Sequence, residues 1–112
     1  MKTSELIGVA LDWAVARCEG IVGYGDALDI GFIKEGGYTP SSDWAQGGPI
    51  IERERIRIDP RGVWCAAHDS CEWTYYMGET PLIAAMRCYV ASKLGDEIEI
   101  SEDLIKQRDI TK

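Results

Sequence analysis

The stretch SSDWAQGGPIIERE combines a helix cap, an indole, an amide and helix breakers within fourteen residues. Ser42 or Asp43 is a suitable N-cap, and two glycines (Gly47–Gly48) and Pro49 follow closely. We therefore predict a capped turn of helix at 42–46, a break at the two glycines and a restart at Pro49. Such a restart leaves backbone N–H groups without helical partners, and these groups form a ready anion site.

The predicted break brings the flat side chain of Trp44 next to the amide of Gln46, which suits a base-plus-phosphate ligand. The predicted ligand-binding residues are Tyr38, Ser41, Ser42, Asp43, Trp44, Gln46, Gly47 and Gly48, with Arg53 or Arg87 meeting the anion. The alternative is that the glycines only let another helix approach closely, and that a kinked connection packs Trp44 into the core.

A second set of candidate residues, Cys65, His68 and Cys71, has the residue types of a zinc site. The spacing is Cys-x2-His-x2-Cys rather than Cys-x2-Cys, and a fourth ligand has to come from elsewhere. An ordinary polar turn explains these residues more simply, so they are weak candidates and we predict no metal.

No set of residues indicates catalysis. His68 is the one histidine, its nearest cysteines lie in its own hairpin, and the sequence has neither a Gly-x-Ser-x-Gly elbow nor a P-loop. The 19 acidic residues form carboxylate pairs by chance. We therefore predict no catalytic residue and no cofactor.

The net charge of −7 in 112 residues disfavours double-stranded nucleic acid as a partner, since such binding depends on Lys and Arg. Four arginines between Arg53 and Arg61 are either a solvated, salt-bridged face or an anion contact. The start lacks the apolar core of a signal peptide, and no apolar run approaches a membrane span. These features predict a cytosolic protein with reduced thiols and no membrane partner.

The first predicted helix covers residues 3–19, capped by Thr3 or Ser4 and stopped by Gly20. Its two adjacent apolar stripes place Trp13 in the core. Six glycines between residues 20 and 37 predict a loop, in which residues 30–33 could form a short strand.

Three strands are predicted between residues 55 and 77. The segment RIRID alternates between apolar and polar residues and predicts the first strand. DPRG at 59–62 is a strong turn with Pro60 in its first central position, and VWCAA is the second strand. The segment EWTYYM at 72–77 forms the third strand. Of the four tryptophans, at least one is expected to be partly exposed.

The second predicted helix has the clearest limits: Thr80 caps it, Pro81 occupies its first position, and Gly95 ends it. A short edge strand follows at 96–101, and Ser101 could cap a last weak helix.

These elements predict an α+β fold. A small antiparallel sheet of about three strands is covered by two main helices and a broken helical segment. Residues 1–112 form one domain, with 105–112 as a loose tail. Two wide apolar helix faces and several strand aromatics exceed what one small sheet can cover, which predicts a homo-oligomer, by default a dimer.

Three stretches, ALDWAVARCEG, YTPSSDWAQGGPIIERE and PLIAAMRCYVASKLGD, resemble the small NinX-like proteins of tailed phages and prophages, a family of unknown function. More distantly, the layout is similar to the phage ABA-sandwich proteins, which implies helix layers around a small antiparallel sheet. The region of Cys65, His68 and Cys71 does not belong to this pattern. The resemblance brings no known catalytic residues and implies an accessory protein of the bacterial host cytoplasm.

Three functions are compatible with these sequence features. The first is a non-catalytic binder of a nucleotide-like anionic ligand, which could sequester a host immune signal. The second is a protein-interaction module that inhibits a host enzyme or regulator through an acidic surface. The third is a cryptic nucleotide hydrolase, which labelled nucleotides would reveal.

Overall fold

The computed structural model describes residues 2–20, 37–68 and 75–98. In chain order, the elements are a short 3-10 helix (Thr3–Glu5), α1 (Gly8–Cys18), α2 (Trp44–Glu54), β1 (Arg57–Arg61), β2 (Val63–Ala67), β3 (Tyr76–Gly78) and α3 (Pro81–Leu94). Three helices and a three-stranded antiparallel sheet confirm the predicted α+β class. The possible strand at 30–33, Ser101 and the tail 105–112 lie outside the described residues.

Helix α3 has the limits that its caps predict. The Thr80 hydroxyl accepts a hydrogen bond from the Ile83 N–H at 3.1 Å, Pro81 is the first helical residue, and Gly95 ends the helix at a φ of 92°. The buried side chains of α3 are those of Leu82, Ala84, Ala85, Met86, Cys88, Tyr89 and Val90. These residues surround most of the helix, so α3 is a core helix rather than a surface helix.

The sheet has the order β1-β2-β3, and each strand is antiparallel to its neighbour. The predicted turn at 59–62 is displaced, because Pro60 pairs with Trp64 inside β1 and the chain reverses at Gly62, which has a φ of 85°. Proline is compatible with this position because β1 is an edge strand of the described sheet, where a missing N–H need not break a ladder bond.

The two faces of the sheet differ in burial. Trp64, Ala66 and Tyr76 belong to the face that packs into the core. Gly78 lies on the same face, and a Cβ there would come within 2.6 Å of the Ala84 nitrogen, so α3 lies directly against the sheet. On the opposite face Val63 and Met77 are exposed, whereas Cys65 and Ala67 are buried.

The first helix starts later than predicted. A 3-10 turn and the extended residues Leu6 and Ile7 precede α1, and neither Thr3 nor Ser4 caps it. The reason is that Thr3 contacts the far end of α3 instead: its hydroxyl donates to the Gly95 carbonyl at 2.6 Å. The end of α1 is as predicted, since Gly20 follows it with a φ of 74°.

Helix α2 corrects the predicted break, because it runs without interruption through Gly47, Gly48 and Pro49. A Cβ at Gly47 would lie 2.4 Å from the Pro40 carbonyl oxygen and 2.7 Å from Leu82 Cδ2, so this glycine permits close packing against α3. Pro49 leaves the Ala45 carbonyl without its helical donor. Both Ala45 and Pro49 are exposed, so water can supply the missing hydrogen bond.

One apolar core joins the elements. It contains Leu6, Leu11, Trp13, Val15, Ile50, Ile56, Ala66, Met86, Tyr89 and Val90, among others. Trp13 is 2% exposed, which confirms its predicted core position. In the described part of the chain, no helix is long and apolar enough to cross a membrane.

Replacing Met86 by Asp tests whether the inner face of α3 holds the fold together. Met86 is fully buried, so Met86→Asp is expected to lower the free energy of unfolding by about 3 kcal/mol or more. The same change at Met77, which is 58% exposed, is expected to shift it by no more than about 0.5 kcal/mol. Urea unfolding of the two variants measures both values, and equal effects would show that α3 does not face the core.

Candidate functional site

Two of the predicted binding residues at the start of α2, Asp43 and Gln46, form a hydrogen-bond network with Thr39 and Ala45. Asp43 is the N-cap, and its Oδ1 accepts from the Ala45 N–H at 3.0 Å. The Gln46 amide donates to Asp43 Oδ2 at 3.0 Å and accepts from the Thr39 N–H at 2.9 Å. Because α2 does not restart at Pro49, the predicted free N–H groups of a second turn are not formed there. A carboxylate, rather than an empty anion site, lies at the helix start.

Trp44 carries the large exposed apolar side chain among these residues. It is 53% exposed, which confirms the prediction of a partly exposed indole and excludes the alternative that it packs in the core. A Cβ placed on Gly48 would lie 3.8 Å from Cε3 of Trp44, so the ring lies beside the backbone of its own helix. Trp44 therefore offers a flat apolar surface on a rigid turn. Ser42, beside it, is also exposed.

Ser41 and Tyr38 lie deeper, between the start of α2 and helix α1. The Ser41 N–H donates to Asp12 Oδ1 at 2.9 Å, and Asp12 is 4% exposed. Burial raises the pKa of Asp12 to about 6, although its hydrogen bonds with Ser41 act in the opposite direction. Burial, together with the charges of Glu19 and Asp12, raises the pKa of Tyr38 to about 12. Ser41 thus connects the start of α2 to α1, and Tyr38 is partly buried against the core.

Arg53 is already paired with acidic side chains. It binds Glu19 through two hydrogen bonds, Nη1–Oε1 at 3.0 Å and Nη2–Oε2 at 2.5 Å, and its Nε donates to Glu54 at 3.0 Å. The hydrogen bonds from Arg53 lower the pKa of Glu19. Arg53 follows Trp44 by nine residues, which places it about 13 Å along α2 and on the opposite side. The structure therefore does not bring Arg53 and Trp44 together.

Arg53 belongs to a polar cluster, which we define as Glu19, Arg53, Glu54, His68, Tyr89 and Lys93. Glu54 Oε1 lies 3.1 Å from His68 Nε2 and 3.7 Å from Lys93 Nζ, and the hydrogen bond with His68 lowers the pKa of Glu54. The Tyr89 hydroxyl donates to Glu19. The cluster thus ties the ends of α1, α2, β2 and α3 together. Apart from Arg53 and His68, its members were not predicted from the sequence, because every contact except that between Arg53 and Glu54 joins partners 14 to 70 residues apart.

Two of the three weak zinc candidates, Cys65 and His68, lie in the described part of the chain. His68 contacts Glu54, and Cys65 Sγ lies 3.9 Å from the carbonyl oxygen of Val63. Cys71 lies outside the described residues. Among those described, no group of three or more His, Cys, Asp and Glu side chains is placed to hold a metal ion.

Arg87, the other predicted anion contact, lies in a separate open groove. Its Nε donates to the Leu6 carbonyl at 2.7 Å, and its Nη1 donates to the Met77 carbonyl at 2.6 Å. We call this groove, which has a volume of about 920 Å³, the edge groove. Its lining includes Lys2, Ile7, Val63, Tyr75, Met77 and Asp96. The described residues expose four large apolar side chains, and all except Trp44 line this groove.

Residues 2–93 match the family model described as Bacteriophage P22, NinX. The chain belongs to the NinX family. This confirms the resemblance found in the sequence. No curated protein matches the chain.

In this NinX family chain, the two glycines of α2 are expected to respond differently to alanine. Gly47→Ala should lower the free energy of unfolding by about 1–3 kcal/mol, because its Cβ would collide with Pro40 and Leu82. Gly48→Ala, whose Cβ would have room, should raise it by roughly 0.5–1 kcal/mol through better helix propensity. Thermal or urea unfolding measures the pair, and equal behaviour would contradict the packing role of Gly47.

Asp12→Asn tests the buried carboxylate, because asparagine keeps an acceptor for Ser41 and removes the charge. A folded-state pKa raised from 3.8 to about 6 means that ionised Asp12 destabilises the fold. This penalty is absent below about pH 4, grows up to about pH 6 and then stays constant at roughly 3 kcal/mol. The stability of Asp12→Asn relative to the parent should therefore rise between pH 4 and 6. A difference that does not change with pH would show that Asp12 titrates normally.

Proposed function

We propose that this NinX family protein is a protein-interaction module that acts on a protein of the bacterial host. The observation that carries the proposal is the convergence of Val63, Tyr75 and Met77, three of the four large exposed apolar side chains among the described residues, on the edge groove. Small monomeric proteins rarely expose contiguous apolar surface, and such patches mark interaction sites when polar residues surround them.

The residue types of the edge groove also support a protein partner. Tyr, Met and Arg are enriched at protein interfaces, and Tyr75, Met77 and Arg87 are among the residues that line this groove. Arg61 lies over the ring of Tyr75 at 5.2 Å and pairs with Asp59 at 3.7 Å, which adds a charged border beside the apolar surface. An aromatic and a methionine inside a charged border are typical of an interface centre.

Cross-linking in infected bacteria tests the proposal. A tagged copy of the protein should be recovered in a cross-linked adduct with a host protein, and Met77→Asp should reduce the yield of that adduct at least fivefold, since it places a charge at the centre of the patch. Trp44→Ala is the matched control, because it removes the exposed side chain that lies outside the groove. Recovery of the same adduct with Met77→Asp, or its loss with Trp44→Ala, would contradict the assignment.

A second candidate function, the binding of a nucleotide-like ligand, is supported by one observation. The exposed indole of Trp44 lies on a turn that Asp43, Gln46 and Thr39 hold rigid, so a base could stack on it without a change of conformation. Such a protein could sequester a host immune signal without turnover. The carboxylate of Asp43 directs the phosphate of this ligand away from the first turn of α2.

Trp44→Ala separates stacking from a structural role. With half of the indole exposed, this variant should lose less than about 1.5 kcal/mol of stability, against the 3–5 kcal/mol expected for a buried tryptophan. If the second function holds, Trp44→Ala and Gln46→Ala both fold but lose binding to the fluorescent nucleotide that the parent binds best. Equal binding by parent and variants, measured by fluorescence anisotropy, would rule out a site at this turn.

A further inference from the structure

We infer that the edge groove takes a positively charged polypeptide segment of its partner. This inference rests on the proposed protein-binding function and names the chemistry of the partner. It follows from three properties of the groove: its walls are joined by hydrogen bonds, its lining is partly apolar, and its described charged residues, three acidic and two basic, carry a net charge of −1.

The walls of the edge groove are joined by hydrogen bonds. Arg87 connects the two sides, because it donates to the carbonyl of Leu6 on one side and to that of Met77 on the other. At one end, the Tyr76 hydroxyl donates to Asp96 at 2.5 Å, and the backbone of Asp96 accepts from the Thr3 N–H at 2.7 Å. The groove is therefore formed before a partner arrives, which reduces the entropy lost on binding.

The apolar part of the lining can receive side chains or their aliphatic stems. Met77 is 58% exposed and Val63 is 47% exposed, and Ile7 lines the same groove. Lys and Arg carry aliphatic stems that cover apolar surface while their charged ends reach polar groups. A basic segment thus matches an apolar strip with acidic groups beside it.

The charges of the lining favour a cationic partner. Three carboxylates, those of Glu79, Asp96 and Glu97, line the groove together with two basic side chains, Lys2 and Arg87. The whole chain carries a net charge of −7, so its long-range field attracts a basic partner and accelerates the encounter. Both the local and the overall charge therefore have the sign that a basic segment requires.

The same charges disfavour the two competing occupants. A second copy of the chain, as in the predicted homodimer, also carries −7 and is repelled at long range. A nucleotide could contact Lys2 and Arg87, but its phosphates would also lie close to the three carboxylates of Glu79, Asp96 and Glu97. The experiment distinguishes each of these two occupants from a basic segment.

Selection from a library of short random peptides, displayed and sequenced, tests the inference with the intact protein as bait. The enriched peptides should carry a net positive charge and weaken in affinity as salt is added. Fluorescence anisotropy of the best peptide should show a loss of roughly tenfold or more for Met77→Asp. Glu97→Lys should also weaken the basic peptide, whereas Glu52→Lys, the same change at an exposed residue of α2 outside the groove, should bind it as the parent does.

Several results would overturn the inference. Enriched peptides that are neutral or acidic, or a basic peptide that binds Met77→Asp as well as the parent, would show that the groove does not select a basic segment. Circular dichroism melting checks that each variant folds. If Met77→Asp does not fold, Glu97→Lys tests the inference independently.

Failure of the inference and failure of the proposed function differ in their outcome. Enrichment of peptides of the wrong charge removes only the inference, as does a selected peptide that binds outside the groove. No enrichment at any charge, together with no cross-linked adduct in infected cells, removes protein binding itself. A dimer mass in light scattering that falls to the monomer mass in Met77→Asp would assign the groove to a second copy instead.

Discussion

Helix α3 is buried around most of its circumference, and the need to cover it places the other elements. The sheet covers one side of its apolar surface, while α1 and α2 cover the others. Two glycines mark the closest approaches, Gly78 of β3 against the backbone of Ala84 and Gly47 of α2 against Leu82. A side chain at either position would separate α3 from its neighbour and open the core.

The two ends of α3 organise the polar parts of the molecule. Near its C-terminal end, Tyr89 and Lys93 take part in the polar cluster, in which Arg53 and Glu54 of α2 contact Glu19 and His68. Beyond the helix, Gly95 and Asp96 hold Thr3, which fixes the N-terminal residues as one wall of the edge groove. Helix α3 occupies one face of the sheet, whereas Val63 and Met77 lie on the other face, are exposed and line the edge groove.

The sequence predicted those features that depend on contacts between residues close together in the chain. The limits of α3 followed from Thr80, Pro81 and Gly95, because a cap and a helix stop act within a turn of their own position. The same local rules failed for α2. Gly47 and Pro49 break an isolated helix, whereas here packing against Pro40 and Leu82 requires the glycine.

The candidate site was less predictable than the fold, because its contacts cross long distances in the sequence. The pairing of Arg53 with Glu19, 34 residues away, has no local signal. The edge groove depends on which face of the sheet α3 covers, and alternation alone does not decide this.

Hydroxyl-radical footprinting in infected cells asks whether a host protein covers the edge groove. Met77 and Trp44 are both exposed and oxidisable, whereas Met86 is fully buried and reports an intact fold. Compared with the purified protein, we expect Met77 to be oxidised several-fold more slowly in infected cells while Trp44 is oxidised at the same rate. Equal oxidation of Met77 in both samples, with Met86 protected throughout, would contradict the proposed interaction.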